Sequence, residues 1–345
     1  PSGYEPDELP TAPPRNIFSR NLRWYLLKVD YTISELEHKD IICFFVKQIK
    51  KQIMSHKAGF VSIIGKPNAG KSTLMNALVG EKMSIITPKA QTTRHRIIGI
   101  VNDEDYQIVF SDTPGVIKPN YDLQESMMNF VMSSLIDADV ILFVTDIHEK
   151  YDENDVLEKL RNTSSPVAVI INKVDKSSEE EVKAKIAFWE EKINPDTVFP
   201  ISALLGYNVE AVMAYIKSKL PVHPPYYEKD ELTDKSMRFF VSEIIREKVF
   251  KLYDKEIPYS TEVVVTSFKE EAHITRIAAE IIVERDSQKN IIIGKAGAMI
   301  KKVGIYARQD IEEFIGGKVF LELFVKVLPD WRSKKNYLKR FGYED

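Results

Sequence analysis

The run Gly65-Lys66-Pro67-Asn68-Ala69-Gly70-Lys71-Ser72 fits the spacing G-x-x-x-x-G-K-[ST], and the chemistry that spacing serves is the holding of phosphate. Glycines let the backbone wrap closely, so that successive N–H groups turn inward toward phosphate oxygens. A helix starting at the lysine adds its positive N-terminal end. Lys71 supplies a full charge near the β- and γ-phosphates, and the Ser72 hydroxyl suits Mg²⁺. Asn68, Ala69, Gly70, Lys71, Ser72 and Thr73 are therefore the expected phosphate contacts. A plain glycine turn would account for the glycines alone. The apolar run 60–64 before the loop and the helical pattern 71–80 after it favour the phosphate site.

A nucleotide needs further anchors. Asp112-Thr113-Pro114-Gly115 closes the apolar run 106–111, so Asp112 stands at a strand's carboxyl end, where ligands bind in open α/β sheets. Its carboxylate can hold Mg²⁺ through a water, and the Gly115 N–H can reach a γ-phosphate because no Cβ intervenes. Asn172-Lys173-Val174-Asp175 follows the apolar run 167–171. A carboxylate at Asp175 would accept from both the N1–H and the exocyclic amine of guanine. Adenine lacks the first donor, so such a site rejects it. Asn172, Lys173, Asp175 and the pair Ser202-Ala203, after 198–201, make up the expected guanine contacts.

These elements occur in one order, each at the end of an apolar run, which is the signature of a P-loop GTPase over residues 58–220. Such a site also needs an effector loop whose threonine joins Mg²⁺ only when the γ-phosphate is present. Gln91-Thr92-Thr93-Arg94-His95-Arg96 lies in the right interval. Thr93 is the expected metal ligand beside Ser72 and Asp112, with Thr92 the second choice. Ras-like enzymes place a Gln just after the glycine of D-x-x-G to orient the attacking water. Here that position is Val116, which neither donates nor accepts. Intrinsic hydrolysis should be slow and depend on another residue, a potassium ion or a partner. His148, Glu149 and Asp152 read as surface loop, and no residue is assigned as catalytic.

The scaffold these motifs require is a βα succession with a mainly parallel sheet. Strands are expected at 60–64, 106–111, 140–145, 167–171 and 198–201, with helices at 71–80, 123–136, 152–162, 179–193 and 208–219. The proline-rich stretch Leu220-Pro221-Val222-His223-Pro224-Pro225 ends the last helix, and an interdomain linker is placed at 221–235. Beyond it comes a helix-strand-strand-helix-helix-strand order. Within this order Gly294-Lys295-Ala296-Gly297 sits between Ile293 and Ile300-Lys301-Lys302. That is the I-I-G-x-x-G-x-x-I-K pattern of a type II KH domain. Its loop lets the backbone approach single-stranded RNA, with an adjoining apolar groove for bases. Arg332, Lys334, Lys335, Lys339 and Arg340 add charge near the end, and Trp331 or Tyr337 could stack on bases. The fold class is thus α/β, a P-loop GTPase domain over 54–220 followed by a smaller α+β KH domain over 236–345.

A net charge of −3 would ordinarily argue against a nucleic-acid partner. It is a sum of unlike parts: residues 1–57 carry +2, 58–235 carry −8 and 236–345 carry +3. The basic excess therefore belongs to the segment with the G-x-x-G loop. A single cysteine, Cys43, excludes a disulfide framework and a cysteine-based zinc site. Residues 1–53 read as an extension upstream of a natural start at Met54, with a proline-rich tail and a short helix near 41–53. Asp30, Glu35, Glu37 and Asp40 make it too acidic for a transit peptide.

The combination resembles the Era family of bacterial ribosome-assembly GTPases. The resemblance is carried by G-K-P-N-A-G-K-S-T at 65–73, K-A-Q-T-T-R-H-R-I at 89–97, D-T-P-G at 112–115, N-K-V-D at 172–175 and I-I-G-K-A-G at 292–297. It implies GTP and GDP as ligands with Mg²⁺, and GTP hydrolysis. It also implies binding of the 3′ end of small-subunit ribosomal RNA through Ile293, Gly294, Lys295, Ala296, Gly297, Ile300, Lys301, Lys302, Arg332, Lys334 and Lys335. The implied role is promotion of small-subunit maturation by a monomer in the cytoplasm. Any membrane contact would be peripheral, at the inner face of the cell membrane. Two other readings stay open from residues alone: an RNA-binding assembly factor whose G domain is mainly structural, and a P-loop kinase or ATPase.

Overall fold

The computed structural model describes residues 56–150 and 155–344. The expected extension over 1–53, Met54 and Asp152 lie outside them. Two sheets organise the chain. The first has strand order β2-β3-β1-β4-β5-β6, comprising β1 (Lys57–Ile64), β2 (Ile97–Asn102), β3 (Tyr106–Asp112), β4 (Val140–Asp146), β5 (Val167–Asn172) and β6 (Thr197–Pro200). All neighbours are parallel except β2, which runs antiparallel to β3. β1, β4 and β5 read as unbroken apolar runs because they are covered on both faces. Helices α1 (Lys71–Val79), α2 (Asp122–Asp137), α3 (Asp155–Asn162), α4 (Glu179–Ile193) and α5 (Val209–Lys219) connect and cover them. Ser178 starts α4 with a reciprocal capping box to Glu181. The order reverses at β1, so the loop after β1 opens at the switch point.

Strand β2 is an addition to the expected elements. Ile97-Ile98-Gly99-Ile100-Val101-Asn102 carries no chemical motif and follows the effector loop without a break. It forms a hairpin with β3 through a turn in which the Asp103 N–H donates to the Tyr106 carbonyl at 2.9 Å.

The second sheet has order β7-β8-β9: β7 (Glu262–Glu271) pairs antiparallel with β8 (Ile274–Val283), and β8 parallel with β9 (Val319–Val327). Helices α6 (Met237–Leu252), α7 (Asp286–Ile293) and α8 (Ala298–Ile315) complete the α-β-β-α-α-β order. Val241, Ile245, Ile281, Val303 and Ile311 form its core.

The stretch expected to be a linker is bound along its length to the first sheet. The Gln107 side chain accepts from the Tyr226 and Tyr227 N–H groups at 2.6 and 3.0 Å and donates to the Tyr227 carbonyl at 2.8 Å. The Ile100 N–H donates to the Leu232 carbonyl at 2.8 Å, and the Thr233 hydroxyl to the Ile98 carbonyl at 2.6 Å. The segment thus covers the open edge of β2, where an unpaired strand would be exposed, and leads directly into α6.

The basic end is also bound, which corrects two expectations. Trp331 is fully buried, not free to stack on bases; its indole N–H donates to the Ser260 carbonyl at 3.0 Å. It shares one apolar cluster with Leu338 and Tyr343 and with Leu123, Met127 and Val131 of α2. Arg332, half-buried, pairs with Glu284 and lies 4.9 Å over the Tyr121 ring, so its charge is partly engaged by the protein itself. Tyr337 is half-buried and stacks on Phe341. Only one side of the terminal helix α9 (Lys335–Arg340) remains basic and open: Lys334, Lys335, Lys339 and Arg340 are exposed. Among the described residues, no helix is long and apolar enough to cross a membrane. Trp331→Ala should cost about 3–5 kcal/mol of stability in urea unfolding; a loss below about 1 kcal/mol would mean the cluster tolerates the change like a surface site.

Candidate nucleotide site and nucleic-acid interface

The loop between β1 and α1 carries the phosphate motif. Lys71 is buried, and its ammonium donates to the Lys66 carbonyl at 3.0 Å, which curls the loop around it. Burial pushes the Lys71 ammonium down to about 8, against the pull of the Asp112 and Glu149 carboxylates. Burial likewise pushes Asp112 up, opposed first by Lys71 and then by the Ser72 hydroxyl. Gly115 meets this loop at very close range, since a Cβ there would lie 2.6 Å from the Pro67 nitrogen. A side chain at 115 would push the two loops apart.

Three oxygen-bearing side chains converge beside Lys71. The Ser72 hydroxyl donates to Asp112 Oδ2 at 2.7 Å and lies 2.9 Å from Thr93 Oγ1. The other carboxylate oxygen, Asp112 Oδ1, is buried with no hydrogen-bond partner. Two hydroxyls and a carboxylate with an unpartnered oxygen fit a small hard cation that completes its shell with water and phosphate. Thr92, the second choice, is occupied elsewhere: its hydroxyl donates to the Lys89 carbonyl at 2.6 Å and meets the Thr87 hydroxyl at 2.6 Å.

From this oxygen cluster a cavity of about 540 Å³ runs past Asn68 and Ile86 to Asp175, Ser202 and Leu204. Phosphate and base ends therefore belong to one space. Asp175 is exposed to it. Asn172 is a strut: its amide donates to the Ala69 carbonyl at 2.9 Å and accepts from the Lys173 and Ala203 N–H groups at 2.8 and 3.0 Å. The carboxamide thus ties three loops together, and the second hydrogen of its NH2 group is left for another acceptor. Lys173 donates to the Asn68 carbonyl and to Asp146, each at 2.6 Å. The Ser202 hydroxyl is buried and unpartnered, while Ala203 presents its backbone to Asn172. Glu149 departs from the surface-loop reading: it folds back toward Lys66 at 3.9 Å, and burial pushes its carboxyl up. Val116 turns its side chain into the cluster packed on α2.

In the second domain Gly294 ends α7 at φ 70°, and a Cβ there would fall 2.7 Å from Met299. Only glycine fits that corner. Lys295, Ala296, Lys301 and Lys302 are exposed beyond it, and Ile293 and Ile300 are half-buried at its sides. The loop thus presents backbone and positive charge next to partly open apolar side chains.

The family model "50S ribosome-binding GTPase" matches residues 60–173, and "KH domain" matches 256–332. The chain is 44% identical over 291 residues to GTPase Era of Staphylococcus haemolyticus, covering 84% of this chain and 97% of that one. With GTPase Era of Geotalea uraniireducens the identity is 46%, over 84% of this chain and 98% of that one. A point variant of Aquifex aeolicus Era bound to GDP·AlF4⁻ superposes with a TM-score of 0.79 at 41% identity, over 84% of this chain and 100% of that one. An Era in complex with MgGDPNP and nucleotides 1506–1542 of 16S ribosomal RNA gives the same TM-score, identity and coverage. The chain belongs to the Era family of GTPases.

In this Era-family chain the segment 82–96, which contains the expected effector loop, is fastened to the KH domain. Lys82 lies 3.6 Å from Glu247, and Lys89 lies 2.8 Å from Asp254 while donating to the Tyr253 carbonyl. Arg246 of α6 donates to the Thr92 carbonyl. Sequence reading gives Arg94, Arg246 and the cavity-lining Ile86 no role, while Leu204 stands in the tripeptide Ser202-Ala203-Leu204 read as the last base-contacting loop. The one signal at Arg94 is its place within K-A-Q-T-T-R-H-R-I, and nothing local to Arg246 reveals a carbonyl about 150 positions earlier. Asn172→Ala should leave the Ala69 and Ala203 backbone groups unpaired, cost about 1–3 kcal/mol and weaken GDP binding. Calorimetry checks this; unchanged GDP affinity would remove its strut role.

Proposed function

We propose that this protein binds GTP or GDP with Mg²⁺, hydrolyses GTP, and uses the nucleotide state to govern how its KH domain holds RNA. The observation that carries this is the convergence of Ser72, Thr93 and Asp112 on one point, with Thr93 on a loop fastened to the KH domain. Ser72 and Thr93 would ligate the metal, Asp112 would hold it through a water, and Lys71 with the loop backbone would neutralise the β- and γ-phosphates. A metal held there would draw charge from the phosphates, which these residues would orient. Asp175 would take the guanine edge, with Asn172 keeping its loop in register. Val116 offers no group to orient water, so hydrolysis is slow without assistance.

The RNA is proposed to be the 3′ end of the small-subunit ribosomal RNA, and the role assembly of that subunit. Support comes from the Gly294–Gly297 loop with exposed Lys295, Lys301 and Lys302, and from the Era solved with 16S nucleotides. The GTPase family's description names the large subunit, but its match stops at residue 173, short of the KH domain. Lys334 and Lys335 extend the basic surface; Arg332 does not, being paired with Glu284.

Crosslinking bound RNA in cells and sequencing it should recover the small-subunit 3′ end, with the signal lost in Gly294→Asp; recovery of other RNA instead would overturn this reading. Asp175→Asn should shift preference from guanine toward xanthine nucleotides by about 10²-fold or more, read by competition against labelled GDP. Unaltered guanine selectivity would refute the base assignment.

A further inference from the structure

We infer that Arg94 is a positioning residue for nucleotide binding: anchored in the KH domain, it holds Thr93 where a γ-phosphate-bound metal needs it. The inference rests on the proposed role of Thr93 and adds the group that places it.

Arg94 follows Thr93 directly, yet does not line the nucleotide cavity. Its side chain is fully buried in the KH domain. One guanidinium nitrogen donates to the Thr261 carbonyl at 2.7 Å and to Glu262 at 3.3 Å. The other donates to the Pro258 and Tyr259 carbonyls, each at 3.0 Å. The rings of Phe250 and Trp331 lie 5.8 and 6.0 Å from its centre. A guanidinium cannot shed its charge, and a buried charge is tolerated only while its partners stay in place. The fork therefore fixes the Arg94 backbone against the turn before β7.

The residues on either side are fixed as well. Arg246, buried and bound to Glu243, donates to the Thr92 carbonyl. His95 stacks on Tyr343 at 4.2 Å. Consecutive Cα atoms are about 3.8 Å apart, so Thr93, held from both neighbours, has little travel. Its hydroxyl is left 2.9 Å from the Ser72 hydroxyl. KH docking and γ-phosphate recognition thereby share one short segment, and a guanidinium that touches no nucleotide sets the affinity for the triphosphate.

The test uses the full chain and compares binding of GDP with that of a non-hydrolysable GTP analogue, with and without Mg²⁺. Arg94→Lys keeps the charge but loses the fork. It should lower affinity for the Mg²⁺-bound analogue about tenfold while GDP affinity stays within about twofold. Thr93→Ala should give the same pattern, and the double variant no further loss. A merely structural Arg94 would lower melting temperature and weaken both nucleotides equally; that result, or unchanged affinity for both, overturns the inference. If Thr93→Ala loses the triphosphate preference and Arg94→Lys does not, positioning by Arg94 fails while the metal assignment stands. If Thr93→Ala keeps the preference, the metal assignment fails and the inference with it. Should Arg94→Lys not fold, Arg246→Lys, which shortens the reach to the Thr92 carbonyl, is judged by the same two affinities.

Discussion

A guanidinium with no access to water joins the two halves of this molecule. Arg94 leaves the nucleotide domain on the effector loop and ends among carbonyls of the KH domain at Pro258, Tyr259 and Thr261. Because a buried charge without partners is very costly, the two domains cannot part here without first withdrawing this side chain into solvent. The apolar cluster of Trp331, Leu338 and Tyr343 against α2 lies alongside it, so polar specificity and apolar burial act across the same boundary. The covered edge of β2 supplies a second connection, through the bound segment from Tyr226 to Thr233.

Within the nucleotide domain the corresponding constraint is Asn172. One amide ties the phosphate loop, the N-K-V-D loop and the Ser202-Ala203 loop, joining that side of the cavity into one connected wall. The opposite wall is the effector loop, and its partners belong to the KH domain. A ligand spanning the cavity would therefore meet one wall tied within the nucleotide domain and one tied to the KH domain. On the proposed function, this division would carry a chemical difference of one phosphate to the second domain. Coupling of this kind is reciprocal, so on that proposal whatever stabilises the docked KH domain would strengthen triphosphate binding to the same extent.

Much of this is legible in the residues. The phosphate, D-T-P-G, N-K-V-D and G-K-A-G motifs each depend on a few consecutive positions at the end of a strand or helix. Local spacing reports such features well, and the phosphate loop, Gly115, the N-K-V-D loop and Ser202 line one cavity. What stays hidden is the long-range pairing. Gln107 reads as a polar residue in a strand, yet it holds Tyr226 and Tyr227 about 120 positions later. Trp331 and Arg332 read as an aromatic and a base in a basic tail, the usual composition of an RNA contact, but they face inward because α2 and the turn before it offer them an apolar and an aromatic surface. Arg94 stands within the most specific motif with no purpose visible there, since the carbonyls it serves lie more than 160 positions away. Asn172 reads as a base contact because its neighbours do; that its carboxamide also ties three loops together is visible only in the structure.

Occupancy of the γ-phosphate position should be felt by the KH domain through the effector loop. That coupling is tested most directly by the affinity of the full chain for a short single-stranded RNA carrying the small-subunit 3′-end sequence. The affinity is measured at fixed salt with Mg²⁺ and either GDP or a non-hydrolysable GTP analogue. The expected result is a difference of about fivefold or more between the two affinities. Equal affinities in the two nucleotide states would contradict it.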